Sequence, residues 1–144
     1  MVCNDTMNTK QPDVTREKIL QSAFCEIHRQ GYQAASIANI LQDTQLTKGA
    51  LYYHFPTKQA LGLAVIDEVI KEQFETRLFK PLRESERPID TLLYIFANIN
   101  KLVTNDFIIL GCPLNNLMQE MSALDASFQK KLADVLEIWR KIIY

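Results

Sequence analysis

The chain has little of several things that other kinds of protein depend on. It holds three cysteines, Cys3, Cys25 and Cys112, an odd number with wide gaps and no Cys-x-x-Cys pair. That argues against a disulfide framework and against a zinc site. No apolar run is long enough to span a bilayer, and Met1 to Gln11 is polar, without the apolar core of a signal peptide. A cytoplasmic location is expected. The two histidines, His28 and His54, have no plausible Cys or Ser partner in sequence context, and neither a phosphate loop nor metal-ligand spacing occurs. Enzyme chemistry, a metal and a cofactor are therefore not expected. Charge of one sign is also missing. The net charge is −1, and residues 1–58 carry Lys10, Arg16, Lys18, Arg29, Lys48 and Lys58 against Asp5, Asp13, Glu17, Glu26 and Asp43. Bulk electrostatics announces no nucleic-acid partner, although a specific binder needs charge on one face rather than in sum.

What remains is helix-forming material. With four glycines and five prolines among 144 residues, 47% of them apolar, the chain has the makings of an all-α protein with a real core. Its most telling stretch is Thr47-Lys48-Gly49-Ala50-Leu51-Tyr52-Tyr53-His54-Phe55. Leu51 and Phe55 sit four apart and anchor one side of a short helix. Lys48, Tyr52, Tyr53 and His54 lie largely away from that stripe. A cation, two phenols and an imidazole on one exposed turn suit a polyanion that also offers base edges. Thr47 is placed to cap the helix, and a capped start presents amides and a positive dipole end to a phosphate. Upstream, Ser36 caps a helix from Ile37 to about Asp43, with Ile37, Ile40 and Leu41 as apolar contacts. Thr44-Gln45 makes a tight turn, and Leu46 tucks in behind it. Helix, turn and helix with a polar second face is the helix-turn-helix arrangement, whose second helix enters the major groove.

Residues from about Thr15 to Leu63 resemble the TetR family of bacterial transcriptional regulators. Gly31-Tyr32, Ser36, Ile40, the run Leu46 to Phe55 and Lys58 carry the resemblance. Two positions depart from it. Thr44-Gln45 stands where the family often has Ala-Gly, so a left-handed Gln45 costs about 1 kcal/mol relative to Gly. Leu41 fills a position that usually holds a small Ala.

Four segments follow from this reading. Residues 1–14 form a flexible arm, with Lys10 either in a disordered tail or against DNA. Residues 15–57 are the DNA-binding head. Its first helix runs from Thr15 to Gln30 on a stripe of Ile19, Leu20, Ala23, Phe24 and Ile27, and Gly31 closes it in a left-handed C-cap. Residues 58–80 are a linking helix: Pro56 stops the helix before it, and Thr57 is placed to cap it. Residues 81–144 form an incomplete helical regulatory and dimerisation domain. Within it, Pro81 to Arg87 is a charged connector. A helix from Pro88 to about Val103 is apolar on several sides, which implies central burial or a cavity wall. Phe107 to Leu110 is an apolar link. Pro113 begins a helix to about Ser122, and a last helix starts near Asp125 and reaches Tyr144 in mid-pattern. The run Gly111, Cys112, Asn116, Leu117, Glu120 resembles the sensor half of one TetR subgroup.

The resemblance implies a homodimer, paired through its C-terminal helices, that binds a palindromic double-stranded DNA operator and is released by a small molecule. Lys48, Gly49, Ala50 and Tyr53 would then meet base edges, and Thr47, Tyr52, His54 and Lys58 would bind phosphates. Lys58 lies in a first helical turn, where its charge opposes the dipole, and phosphate contact is one reason to place it there. For Tyr52 packing between the head helices is the competing role, and for His54 a hydrogen bond within the head. Ser36 joins the DNA set. Thr15 and Arg16 serve there too, or else as an ordinary cap and a solvated charge. Phe74, Phe96, Ile99, Asn100, Cys112, Met118, Met121 and Trp139 are the candidates for a hydrophobic or aromatic effector, or for plain core packing. Cys112, in a loop before a helix, offers a redox or electrophile sensor as an alternative, or a small buried filler. A ligand-independent DNA-binding module is a further reading.

Overall fold

The computed structural model describes residues 11–144. Lys10 and the rest of the expected arm up to residue 10 lie outside the described residues. Every regular element among those described is helical.

Three helices make the head. Helix α1, Gln11–Gln30, begins before the expected Thr15, with Pro12 in a first turn that has no need of its N–H. Thr15 and Arg16 consequently lie inside the helix and not at its cap. Ile19, Leu20, Ala23 and Ile27 are buried on its inner stripe. Gly31, at φ 81°, ends the helix and donates its N–H to the Ile27 carbonyl at 2.8 Å. Ser36 caps α2, Ile37–Gln42, by accepting from Asn39 N–H at 3.0 Å. Thr47 caps α3, Lys48–His54, by accepting from Ala50 N–H at 3.1 Å. Each such cap contributes about 1 kcal/mol. Between α2 and α3, Gln45 takes the left-handed conformation at φ 59°. Thr44 braces this strained turn: its hydroxyl donates to the Leu41 carbonyl at 2.9 Å and accepts from Leu46 N–H at 3.2 Å.

Helix α4 is continuous over residues 58–83 but not uniform. Lys58–Ala64, Lys71–Phe74 and Lys80–Arg83 are α-helical, while Val65–Ile70 and Glu75–Phe79 are wound as π-helix. This corrects the placing of Pro81 in a connector. Lys80 N–H reaches back five residues to the Glu75 carbonyl. The widened turn relieves the clash that a proline ring ordinarily makes with the preceding turn, so the helix passes through Pro81. Only residues 84–87 are left to connect.

Five helices follow: α5 Pro88–Ala97, α6 Ile99–Leu102, α7 Asn105–Leu110, α8 Pro113–Met121 and α9 Ala126–Ile143. The single helix expected from Pro88 to Val103 breaks at Asn98. There the side-chain amide donates to the Tyr94 carbonyl at 2.9 Å, a local bond that competes with the helical ladder. The expected link at Phe107 to Leu110 is instead the body of α7, capped by Thr104. Central burial of α5 is not observed. Ile95 is buried, whereas Ile89, Leu93, Tyr94 and Phe96 are more than half exposed.

One core runs without a break from the head into the C-terminal half. Ile19, Leu20, Leu51, Phe55 and Leu61 belong to the same buried cluster as Val65, Ile66, Ile70, Phe79, Leu117, Phe128, Leu132 and Val135. Each contributes roughly 1.5–3 kcal/mol by leaving water. Polar ties cross the same boundaries. Arg16 of α1 forks Glu68 of α4, with Nη2 to Oε1 at 2.6 Å. Lys131 of α9 pairs with Asp67 of α4, and Gln59 donates to Asp125 at 2.7 Å.

Candidate nucleic-acid interface

Helix α3 is held from behind and open in front. Leu51 and Phe55 are 0% and 3% exposed, and fix its inner side in the head core. On the outer side Tyr53 is 84% exposed and Tyr52 44%. Thr47, Lys48 and Gly49 are exposed as well, and Ala50 is half-buried. A Cβ at Gly49 would meet only the Thr47 hydroxyl, at 3.7 Å. Nothing inside the molecule requires a glycine there, and its bare backbone leaves room for close approach from outside. Tyr53 sets its ring edge-on to His54, centroids 5.1 Å apart, and His54 in turn lies 6.5 Å from the Phe55 ring. The half-buried His54 therefore leans toward the head while Tyr53 stands clear of it. Tyr52 does not pack fully between the head helices, since nearly half of it remains exposed.

Lys58 opens α4 beside this surface. Its ammonium donates to the Gln33 carbonyl at 3.2 Å and lies 4.9 Å over the Tyr32 ring. That carbonyl and the ring face offset the unfavourable position in the helix dipole. Burial, and after it the carboxylates of Asp125 and Glu120, push the Tyr32 phenol above its ordinary value. Ser36 starts α2 next to the same loop. Arg16 is occupied differently, forking Glu68 and lying 4.9 Å over the Phe55 ring. It ties α1 to α4 behind the recognition helix. Thr15, one residue before it, is half-buried. The seat of Lys58 is a feature that sequence reading missed. A backbone carbonyl in a Gly-Tyr-Gln loop carries no side-chain signature.

The residues expected around an effector fall in three places. Phe74 and Trp139 flank the buried Phe79, with centroids 5.9 and 6.1 Å from it. Cys112, Met118 and Met121 lie along α8, packed against the core or buried in it. Phe96, Ile99 and Asn100 are exposed. None of the eight lines the cavity of about 280 Å³ that opens between the end of α1 and α8, walled by Phe24, Ile27, Ile70, Leu110, Pro113 and Leu117. Cys112 is a free cysteine, half-buried, and Cys25 is almost fully buried on α1. Neither a metal-holding cluster nor a helix long and apolar enough to cross a membrane occurs among the described residues.

A capped short helix with a buried heel, a strained turn before it and an outward face of phenols and a cation define a helix-turn-helix protein. The chain belongs to the TetR family: residues 19–65 match the family described as bacterial regulatory proteins, tetR family. Over 129 residues it is 36% identical to an HTH-type transcriptional regulator in the lacX 3′ region of Lactococcus lactis, covering 90% of this chain and 66% of that one. It is 27% identical to the transcriptional regulator AcuR of Cereibacter sphaeroides, over 90% of this chain and 60% of the relative. The A-factor receptor protein of Streptomyces griseus is 41% identical over 54 residues, 38% of this chain and 20% of the receptor. The chain thus spans 66% and 60% of the first two relatives. No solved structure matches it significantly.

Proposed function

We propose that this chain is the DNA-binding head, with part of the regulatory half, of a cytoplasmic transcriptional regulator that acts as a homodimer on a palindromic operator. One observation carries the reading: the outward face of α3 bears Lys48, Gly49, Tyr52 and the almost fully exposed Tyr53, while Leu51 and Phe55 lock the opposite face. Lys48 can donate to guanine O6 or N7, and the Ala50 methyl can touch thymine. Thr47, Tyr52, His54 and Lys58 serve phosphates, which set register and orientation. Ser36, the cap of α2, completes the proposed set. Arg16 acts from behind, through Glu68, and with Thr15 it is the weakest member of this set.

In this reading the protein represses, and a small hydrophobic or aromatic effector in the helical half releases it. Among the relatives one is named as a receptor, which agrees with effector control. The half-buried, core-packed Cys112 favours a small-molecule effector over thiol chemistry. Release requires that the effector bind one arrangement of the two heads better than the other. Selection of genomic fragments bound by the purified protein tests the proposal. A two-fold symmetric site with half-sites about 34–36 Å apart, one turn of DNA, is expected. Failure to enrich any fragment overturns the DNA reading. Enrichment of a site whose occupancy no candidate effector changes leaves only a ligand-independent module.

A further inference from the structure

The Gly111, Cys112, Asn116, Leu117, Glu120 run has no part in the DNA face, yet almost every member meets the head or holds a residue that does. At its start, Gly111 turns at φ 87°, and its carbonyl lies 2.8 Å from His28 Nε2 on α1. Asn116 pins that turn by donating to the Leu110 carbonyl at 2.8 Å. Leu117 is buried in the shared core. At the far end of α8, the Glu120 carboxylate accepts from two successive backbone amides, Tyr32 N–H and Gln33 N–H, each at 2.8 Å. Such paired amides form a small anion-binding nest, and bonds to an ionised acceptor are stronger than neutral ones. The nest needs Gly31. A Cβ there would stand 3.0 Å from both Glu120 oxygens, and φ 81° is a conformation that other residues resist. The end of α1 is therefore gripped at two points, at His28 by the Gly111 turn that leads into α8 and at the Gly31–Gln33 loop by Glu120 of α8 itself.

The second point leads directly to the DNA face. Gln33 gives its N–H to Glu120 and its carbonyl to Lys58. Tyr32 gives its N–H to Glu120 and its ring to the same ammonium. One loop thus carries a carboxylate of the regulatory half on one side and a phosphate-binding cation on the other. We propose that Glu120 is a positioning residue for DNA binding: through Tyr32 and Gln33 it seats Lys58, and with the His28 contact it makes displacement of α8 the movement that unseats the head. The inference rests on the function proposed above and names its internal linkage.

The test uses the full chain and a short random-sequence DNA duplex, because phosphate contacts do not depend on sequence. Glu120→Gln, Glu120→Ala, Lys58→Ala and the Glu120→Ala/Lys58→Ala double variant are titrated over a range of salt. Glu120→Ala is expected to weaken binding about tenfold, and to lower the salt slope by about 0.9, the share of one phosphate contact. In the Lys58→Ala background the same change should matter less than about twofold. Fully multiplicative losses, or a lower affinity at an unchanged slope, assign Glu120 a merely structural role and overturn the proposal. Glu120→Gln, which retains one acceptor oxygen, covers the case in which the alanine variant fails to fold: an intermediate slope supports the linkage, and wild-type affinity and slope refute it. Hydrogen exchange at the Tyr32 and Gln33 amides separates this test from the DNA reading. Protection in the wild type that falls in Glu120→Gln supports the nest even if the duplex does not bind. Rapid exchange of both amides in the wild type removes it.

Discussion

Replacing Tyr53 with alanine separates what α3 does for the fold from what it does for a partner. The ring is 84% exposed, so its removal returns almost no apolar area to water. Its ring contact inside the molecule is the edge of His54, centroids 5.1 Å apart. Such a pair contributes about 0.5–1.5 kcal/mol when buried, and this one stands in solvent at the lower limit. Alanine also forms helix slightly better than tyrosine. The expected change in unfolding free energy is therefore within about 0.5 kcal/mol. Leu51→Ala, on the opposite face and fully buried, should instead cost about 2–5 kcal/mol. On DNA the order reverses. Loss of a side chain that meets base edges costs about 1–3 kcal/mol against the selected site and little against random duplex. Denaturant unfolding of both variants, beside titrations of the selected site and of random duplex, gives all four quantities. Tyr53→Ala with a stability loss above about 2 kcal/mol, or with unchanged preference between the two DNAs, would refute the argument that the outward face of α3 is built for recognition.

Three further outcomes are expected. Gln45→Gly should raise stability by a few tenths to about 1 kcal/mol, because relief at φ 59° exceeds the entropy that glycine adds to the unfolded chain; the thermal midpoint is the measurement, and a fall would show that Thr44 already removes the strain. Gly31→Ala should destabilise by about 2 kcal/mol or more, since it opposes both the positive φ and the Glu120 oxygens, with a smaller penalty in Glu120→Ala measured by a double-variant cycle. Glu68 is held below the ordinary carboxylate range, chiefly by its bond to Arg16. A depressed folded value contributes stability above the unfolded value and loses it as pH falls through the folded one. Glu68→Gln should therefore cost no more than about 1 kcal/mol near neutrality, the pair being partly exposed, and should flatten the acid-side loss of stability between those two values.

Side-chain pattern made the head legible. The spacing of Ile19, Leu20, Ala23 and Ile27 places the stripe of α1, and Thr47, Leu51 and Phe55 place the cap and heel of α3, because residue type alone decides burial and capping at those positions. The departure of Gln45 from glycine was readable for the same reason, since few conformations fit the turn. Where the backbone acts in place of the side chain, sequence falls silent. Gln33 matters through its N–H and carbonyl, which every residue but proline owns. Pro81 looked like a boundary because a proline ends an ordinary helix, and nothing in Glu75–Phe79 announces the π-turn that admits it. Asn98 breaks a helix by bonding to Tyr94, a choice that asparagine makes in some contexts and declines in others.

The contrast between α3 and α5 shows how far an apolar pattern can be trusted. Both helices present large side chains to solvent, Tyr52 and Tyr53 on one, Ile89, Leu93, Tyr94 and Phe96 on the other. On α3 the exposed groups are amphipathic and the backing is complete, so an outward-facing purpose follows from chemistry: phenols and an ammonium gain hydrogen bonds that solvent-facing isoleucine or leucine cannot. On α5 comparable exposure falls on Ile89, Leu93 and Phe96, which cannot hydrogen-bond, and on the single phenol of Tyr94, with no cation in the helix and Ile95 its buried residue. Periodicity ranks which faces of a helix want cover, but the cover itself is a tertiary fact supplied by whatever packs there. The expectation of central burial failed at that step. The exposure expected for α3 is observed because it never depended on cover, and what that open face binds is the question the Tyr53→Ala titration answers.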